Sequence, residues 1–351
     1  MMRRILYYSL LATGVLLLLT SCDHDAPPSP FKPLEQRTIL LLTSEGHIYD
    51  QTGRRVMELP NCVEASEIIS DGNDYFVSGK TTKEQVGYWK NGKWNTLHVD
   101  FIDDVEHWTD GIGKWDYYIY LFDYPHVLKN SGIFPLEDCE DFTPASKCMA
   151  VSEGKCYVVG RDHPQDDDKY QNAVLYYEHK GKYAKEILPK PQENINAGAY
   201  TIFAYEGTHT IVGGRVGEEP CLWIDKQLQM LPRIYDDVHD NTGMGLPVAS
   251  VNSVTRVNGQ IYAVGSENNS EGNEVATLWI DGEPQHLLSE QEGLFWSWIF
   301  EIIGYGDDWY ALSAEMAKQP DGDTDVCFVM WLNGQVIGKY RNIDLVNFTV
   351  L

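Results

Sequence analysis

A chain of 351 residues with 27 Lys and Arg against 52 Asp and Glu carries a net charge of −25. Such a surface repels nucleic acid and anionic lipid headgroups, so neither is an expected partner. No C-x-x-C pair, His-x-His or His-Glu-x-x-His motif occurs, so no metal site and no cofactor is expected.

The first 21 residues read as an export leader: Arg3 and Arg4, an apolar run from Ile5 to Leu19, then small residues ahead of Cys22. The run is short for a membrane span. Leu19-Thr20-Ser21-Cys22 resembles the lipobox of bacterial lipoproteins, which implies lipidation (palmitate included) of Cys22 as the mature N-terminus. Residues 22–36 follow as a tether, in which Pro27, Pro28, Pro30 and Pro33 keep the backbone extended and out of any sheet. Asp23-His24-Asp25 directly after the cysteine resembles the surface-export signal of Bacteroidetes lipoproteins.

From residue 37 to 351 the chain repeats one outline, seen most fully in residues 259–288: a strand over Ile261–Gly265, a polar loop, a strand over Ala276–Ile280, the turn Asp281–Gly282 and a short final strand. An apolar segment ahead of each copy adds a strand, giving four per unit. Taking the aromatic before the turn, or its stand-in, as marker gives Trp89, Leu128, Tyr177, Trp223, Trp279 and Trp331, separated by 39, 49, 46, 56 and 52 residues. Strand units at such a period, with no helical apolar spacing, predict an all-β fold: a seven-bladed β-propeller, with six blades as the runner-up. Residues 38–59 supply only three strands and Ile343–Leu351 an unpartnered one, so the C-terminal strand is expected to pair with the first blade and close the ring. Asn258–Gly259, Glu153–Gly154, Glu206–Gly207 and Asp71–Gly72 are expected as turns between first and second strands.

The six cysteines after Cys22 allow fifteen pairings, but Cys156, Cys221 and Cys327 fall inside strand patterns, where small buried thiols fit. Asp321-Gly322-Asp323-Thr324-Asp325 begins like a calcium loop, yet the twelfth position is Leu332 rather than glutamate.

Strand alternation puts the short glycine turns at one end of the units and the long connections at the other, which makes the long-connection rim the expected functional face. Two connections there look alike: Asp103, Asp104, His107 and Trp108 in one, Asp236, Asp237, His239 and Asp240 in the other. Carboxylates beside histidine suit acid–base work or grip on a polar ligand. Trp108, Trp115, Tyr200, Trp296 and Trp298 fall in connections or at the starts of innermost strands, where exposed ring faces can stack on sugars. The recurring Trp89, Trp223, Trp279 and Trp331 are expected to be structural.

The Ala-x-Leu-Trp-x-Asp-Gly core at Ala276–Gly282, and more loosely Gly87–Gly92, resembles the HAF-type repeats of secreted bacterial proteins. With the leader, the whole chain resembles propeller lipoproteins of Bacteroidetes. That resemblance implies a cell-envelope protein anchored through Cys22, in the outer membrane and exposed at the cell surface, and it carries no catalytic residue across. The expected function is therefore a non-catalytic binding propeller for a glycan, a peptide or an envelope protein. The alternative is a glycan-active hydrolase or lyase using the rim carboxylates and histidines.

Overall fold

The computed structural model describes residues 32–82, 85, 87–97, 111–116, 118–123, 125–130, 132–162, 170–235, 249–319 and 322–351. The chain divides into two units, Met1–Gln36 and Arg37–Leu351. In the first, the described residues form one 3-10 turn, Leu34–Gln36. The second is all-β and propeller-like.

Its strands make five sheets of four and one of eight. The eight-stranded sheet, over residues 142–230, consists of two antiparallel meanders joined by one parallel bridge, Lys147 to Thr201. In the first sheet the C-terminal strand Leu345–Val350 lies against Ile39–Thr43, with Ile39 opposite Val350 and Leu41 opposite Phe348. Beyond that ladder, Thr38 and Leu351 exchange backbone hydrogen bonds of 3.0 and 2.8 Å.

The turn chemistry follows the sequence. Asn91–Gly92, Asp281–Gly282, Asn333–Gly334, Asn258–Gly259, Glu153–Gly154 and Glu206–Gly207 hold positive φ at both positions, as tight antiparallel connections require. Asp71–Gly72 is one residue off: Asp71 pairs with Asp74, and the turn is Gly72–Asn73 with positive φ at Gly72 alone.

Each meander opens with a leading strand, and the irregularity repeated in these strands shapes the whole unit. Ladder register shifts at Ala65/Ile68, Pro144/Met149, Ala199/Thr201, Val251/Ser253 and Ile299/Glu301. Each bulge pushes backbone toward the second strand. There, a Cβ on Gly79, Gly160, Gly214 or Gly265 would stand 2.2, 2.2, 2.0 or 1.8 Å from a leading-strand carbonyl oxygen. The glycine at this position of the second strand is thus the imprint of the bulge opposite it.

The marker tryptophans tie neighbouring meanders together. Trp89, Trp223 and Trp279 are fully buried. Their indole N–H groups donate to the carbonyls of Pro60, Pro189 and Pro232, at 3.2, 2.7 and 2.8 Å, in the segment that enters each unit. Trp331 instead donates to Ser313 Oγ at 2.8 Å, and Ser313 stands where the other units have their glycine. In the unit of residues 142–187 the sequence marker Tyr177 is offset by one. The buried residue is Tyr176, whose hydroxyl donates to Asp138 O at 3.2 Å, while Tyr177 faces the other way beneath Lys226, 4.7 Å from its ring centre.

None of the six cysteines of this unit is in a disulfide. Cys148, Cys156, Cys221 and Cys327 are buried, and burial pushes the Cys156 thiol up to about 12.

Candidate functional site

The leading strands converge on one cavity. Residues of Cys62–Asp71, Gly111–Trp115, Phe142–Ser152, Ala197–Tyr205, Ala249–Val257, Leu294–Tyr305 and Leu345–Val350 all line a space of about 400 Å³. Apart from the single parallel bridge between Lys147 and Thr201, a leading strand pairs along one edge only, so buried amides on its other edge need acceptors from elsewhere. Side chains of adjacent leading strands provide them. Glu67 accepts from Ile112 N at 3.0 Å, Ser152 Oγ from Gly207 N at 3.1 Å, Ser253 Oγ from Ile302 N at 3.1 Å and Thr255 Oγ1 from Gly304 N at 3.1 Å. Glu301 accepts from Phe348 N and Asn347 from Ile68 N, each at 3.3 Å.

Four of the cavity's side chains are charged: Glu67, Lys114, Lys147 and Glu301. Lys147 Nζ forms an ion pair with Glu301 Oε1, and both side chains are largely shielded from solvent. Glu67 lies inside the bulge of its strand and opens onto the cavity. Burial pushes its carboxyl up to about 7; the charge of Lys147 and the Ile112 N–H pull the other way, and the charge of Glu301 adds to the rise. One carboxyl thus holds its proton to near neutrality while the other lies against an ammonium group, and the two share a cavity. That division is the one on which paired-carboxyl chemistry runs.

The cavity runs from the level of Glu67 and Glu301 to Ser70, Lys114, Val151, Thr255 and Tyr305. Those residues are at the C-terminal ends of their strands, beside the short first-to-second turns. Expectation had favoured the long-connection rim, but this cavity extends toward the opposite end. The sequence reading missed Glu67, Lys147 and Glu301 because they sit inside strands, not on loops. For Lys147 and Glu301 the signal was a lone charge in an otherwise uncharged strand, at the level where other units place Thr201 and Ser253; Glu67 shares its strand with Glu64 and Asp71.

Of the residues expected at the rim, Asp103, Asp104, His107, Trp108, Asp236, Asp237, His239 and Asp240 lie outside the described residues, as do Cys22, Asp166-Asp167-Asp168 and Asp321. Trp115 ends its leading strand. Trp296 lines a rim pocket of about 250 Å³ with Tyr235, Glu271 and Glu274, and its Nε1–H donates to Glu274 at 3.0 Å. Trp298 is half-buried and packs edge-on against Phe300, 5.8 Å between centres. Tyr235, which leads into the 236–240 run, is fixed from below. Its N–H and that of Ile234 donate to the fully buried Glu267 at 3.1 and 2.9 Å, and its ring stacks on His286 at 5.1 Å. Burial pushes the Glu267 carboxyl up, but hydrogen bonds from His286, Tyr235 and Thr277 outweigh it and hold the group below its usual range. Asp325 is occupied by Arg341 at 2.6 Å, and no cluster of metal ligands occurs among the described residues.

No family model and no curated protein matches the chain. Solved structures do align with it. An ancestral GH74 enzyme matches with a TM-score of 0.45 and 10% identity over 90% of this chain and 40% of its own. A subtype N11 neuraminidase-like protein of the flat-faced bat isolate H18N11 matches with a TM-score of 0.44 and 10% identity over 88% and 99%. An α-L-arabinanase of Cellvibrio cellulosa matches at 0.36 and 10% over 64% and 93%. The expectation of a non-catalytic binding propeller is corrected here. The chain's own cavity holds two carboxyl groups, one raised by burial and one ion-paired to a lysine, and the glycan-active alternative is taken up in its place.

Proposed function

We propose that the protein is a glycan-active hydrolase whose acid–base pair is Glu67 and Glu301. The observation that carries this reading is their shared cavity, with the Glu67 carboxyl raised to about 7 and Glu301 ion-paired to Lys147. Glycoside cleavage needs one carboxylic acid to protonate the leaving oxygen and one carboxylate to act as base or nucleophile. Glu67 takes the first role and Glu301 the second. Lys147 is a positioning residue that holds Glu301 through their ion pair. The shallow depression that shares Ile69, Ser70, Lys114 and Val151 with the cavity is the approach for a saccharide chain.

The scaffold in this reading is a seven-bladed propeller, with the eight-stranded sheet counted as two blades and Leu345–Val350 closing the ring. Supporting it are the convergence of seven leading strands on one cavity and the side-chain links between adjacent ones. Lipidation at Cys22 would anchor it to the cell envelope at the outer membrane and place the enzyme where extracellular polysaccharide arrives.

The test is reducing-sugar release from a panel of plant and host polysaccharides. Glu67→Gln and Glu301→Gln should each lower release at least a hundredfold with unchanged near-ultraviolet circular dichroism, since glutamine still accepts the backbone hydrogen bond. No release from any polysaccharide, or release indifferent to both substitutions, would sink the assignment.

A further inference from the structure

Eight arginines fall among the described residues, and six of them have a carboxylate oxygen within 4 Å. The two exceptions, Arg161 and Arg215, sit together. Arg215 Nε donates to the Tyr200 hydroxyl at 2.6 Å, and Arg161 lies 5.9 Å from the centre of the same ring. Tyr200 is the extra residue of its strand's bulge, between Ala199 and Thr201. Arg161 and Tyr200 meet over Gly198, where a Cβ would stand 3.0 Å from Arg161 Cδ and 3.1 Å from the Tyr200 hydroxyl, and Arg215 is the ladder partner of Gly198.

The nearest acidic neighbour in sequence, Asp162, is engaged by Lys185 at 3.1 Å. Arg215 gives one further hydrogen bond, to Gly217 O at 3.2 Å, which leaves three of its five N–H groups for other acceptors. Both arginines stand near the outgoing ends of second strands, Lys155–Asp162 and His209–Val216, at the end opposite the Glu67 cavity. A chain with 52 acidic side chains has no shortage of carboxylates. Two half-buried guanidinium groups held on one tyrosine, with no carboxylate against either among the described residues, form a receptor for an anion from outside.

We infer that Arg161, Tyr200 and Arg215 bind the carboxylate of an acidic sugar. A guanidinium fork matches a planar carboxylate through two parallel hydrogen bonds, and the Tyr200 hydroxyl supplies a partner for an adjacent sugar hydroxyl. The sugar part of this assignment rests on the glycan reading above; the anion part does not.

Calorimetric titration of the protein with glucuronate, glucose and inorganic sulfate tests it. Glucuronate should bind with an affinity that falls as salt rises, glucose should not bind, and sulfate should bind at least tenfold more weakly than glucuronate. Arg161→Gln and Arg215→Gln should each weaken glucuronate tenfold or more with unchanged near-ultraviolet circular dichroism, and Arg161→Lys should recover part of the loss. Absence of glucuronate binding, or binding untouched by either glutamine variant, overturns the site. Sulfate binding as tight as glucuronate overturns the sugar assignment. Glu67→Gln should leave the titration unchanged, so a failure of the hydrolase reading is told apart from a failure of this one.

Discussion

The chemistry of single residues turns on Glu67. Its carboxyl is raised from 4.5 to about 7, first by burial and secondarily by the charge of Glu301, against the pull of Lys147 and the Ile112 N–H. A group whose folded value lies above its unfolded value binds a proton more tightly in the native state. Its contribution to stability is complete below pH 4.5, declines as the pH climbs toward about 7, and is gone above that. Urea midpoints taken across that window should fall with rising pH in the wild-type protein and fall less in Glu67→Gln, whose amide has no proton to lose. Equal slopes for the two proteins would show that Glu67 ionises as an ordinary surface carboxylate and cannot serve as an acid near neutrality. Lys147 and Glu301 face the same cavity, so Lys147→Met should move the Glu67 transition upward by removing the nearest cation. Such residues left little trace in the sequence. A glutamate within a strand reads like one on its solvent face, and only the assembly of seven strands turns both faces of the leading strand inward.

At the level of the strand and its unit, the sequence was far more legible, because each copy repeats local physics that needs no distant partner to be recognised. Asn-Gly and Asp-Gly steps announced their turns, and the marker positions at Trp89, Trp223, Trp279 and Trp331 all lie buried on third strands. The error at Tyr177 has a simple cause. Its hairpin turns at Lys180–Gly181, so the buried face falls on Tyr176, and two adjacent tyrosines offered no means of choosing between faces. Bulges were invisible for another reason: they are set by contacts between strands, and only the glycine opposite each one records them. That record yields a prediction. In Gly265→Ala the new methyl group would be built 1.8 Å from Ser250 O, a backbone atom fixed by the ladder on both sides. The bulge must flatten or the strands part, at a cost of about 1–3 kcal/mol. A drop in the urea midpoint with an unchanged slope would confirm it. A variant as stable as wild type would mean that the leading-strand bulge moves freely, and the glycine would lose its explanation.

For the molecule as a whole the question is what holds the first and last strands in register, since they are joined by the longest sequence separation in the fold. Leu345–Val350 buries Leu345, Phe348 and Val350 beside Ile39 and Leu41, and it also links two sheets sideways: Asn347 accepts from Ile68 N while Phe348 N donates to Glu301. Removing residues 345–351 would therefore do more than shorten a sheet. It would expose the ladder edge of Ile39–Thr43, strand the Ile68 amide and take from Glu301 the Phe348 N–H, leaving it only its ion pair with Lys147. The truncated protein should lose cooperative unfolding and associate through its open edge, which sedimentation velocity and a urea titration would reveal together. A milder change separates the sideways links from the ladder. Asn347→Ala keeps every backbone pairing and removes only the acceptor for Ile68, and an unsatisfied buried amide costs about 1–3 kcal/mol. If the truncated chain stayed monomeric and melted in a single transition, the last strand would be an accessory to the first sheet. Cohesion would then have to come from the tryptophan-to-proline bonds and the remaining side-chain links between leading strands.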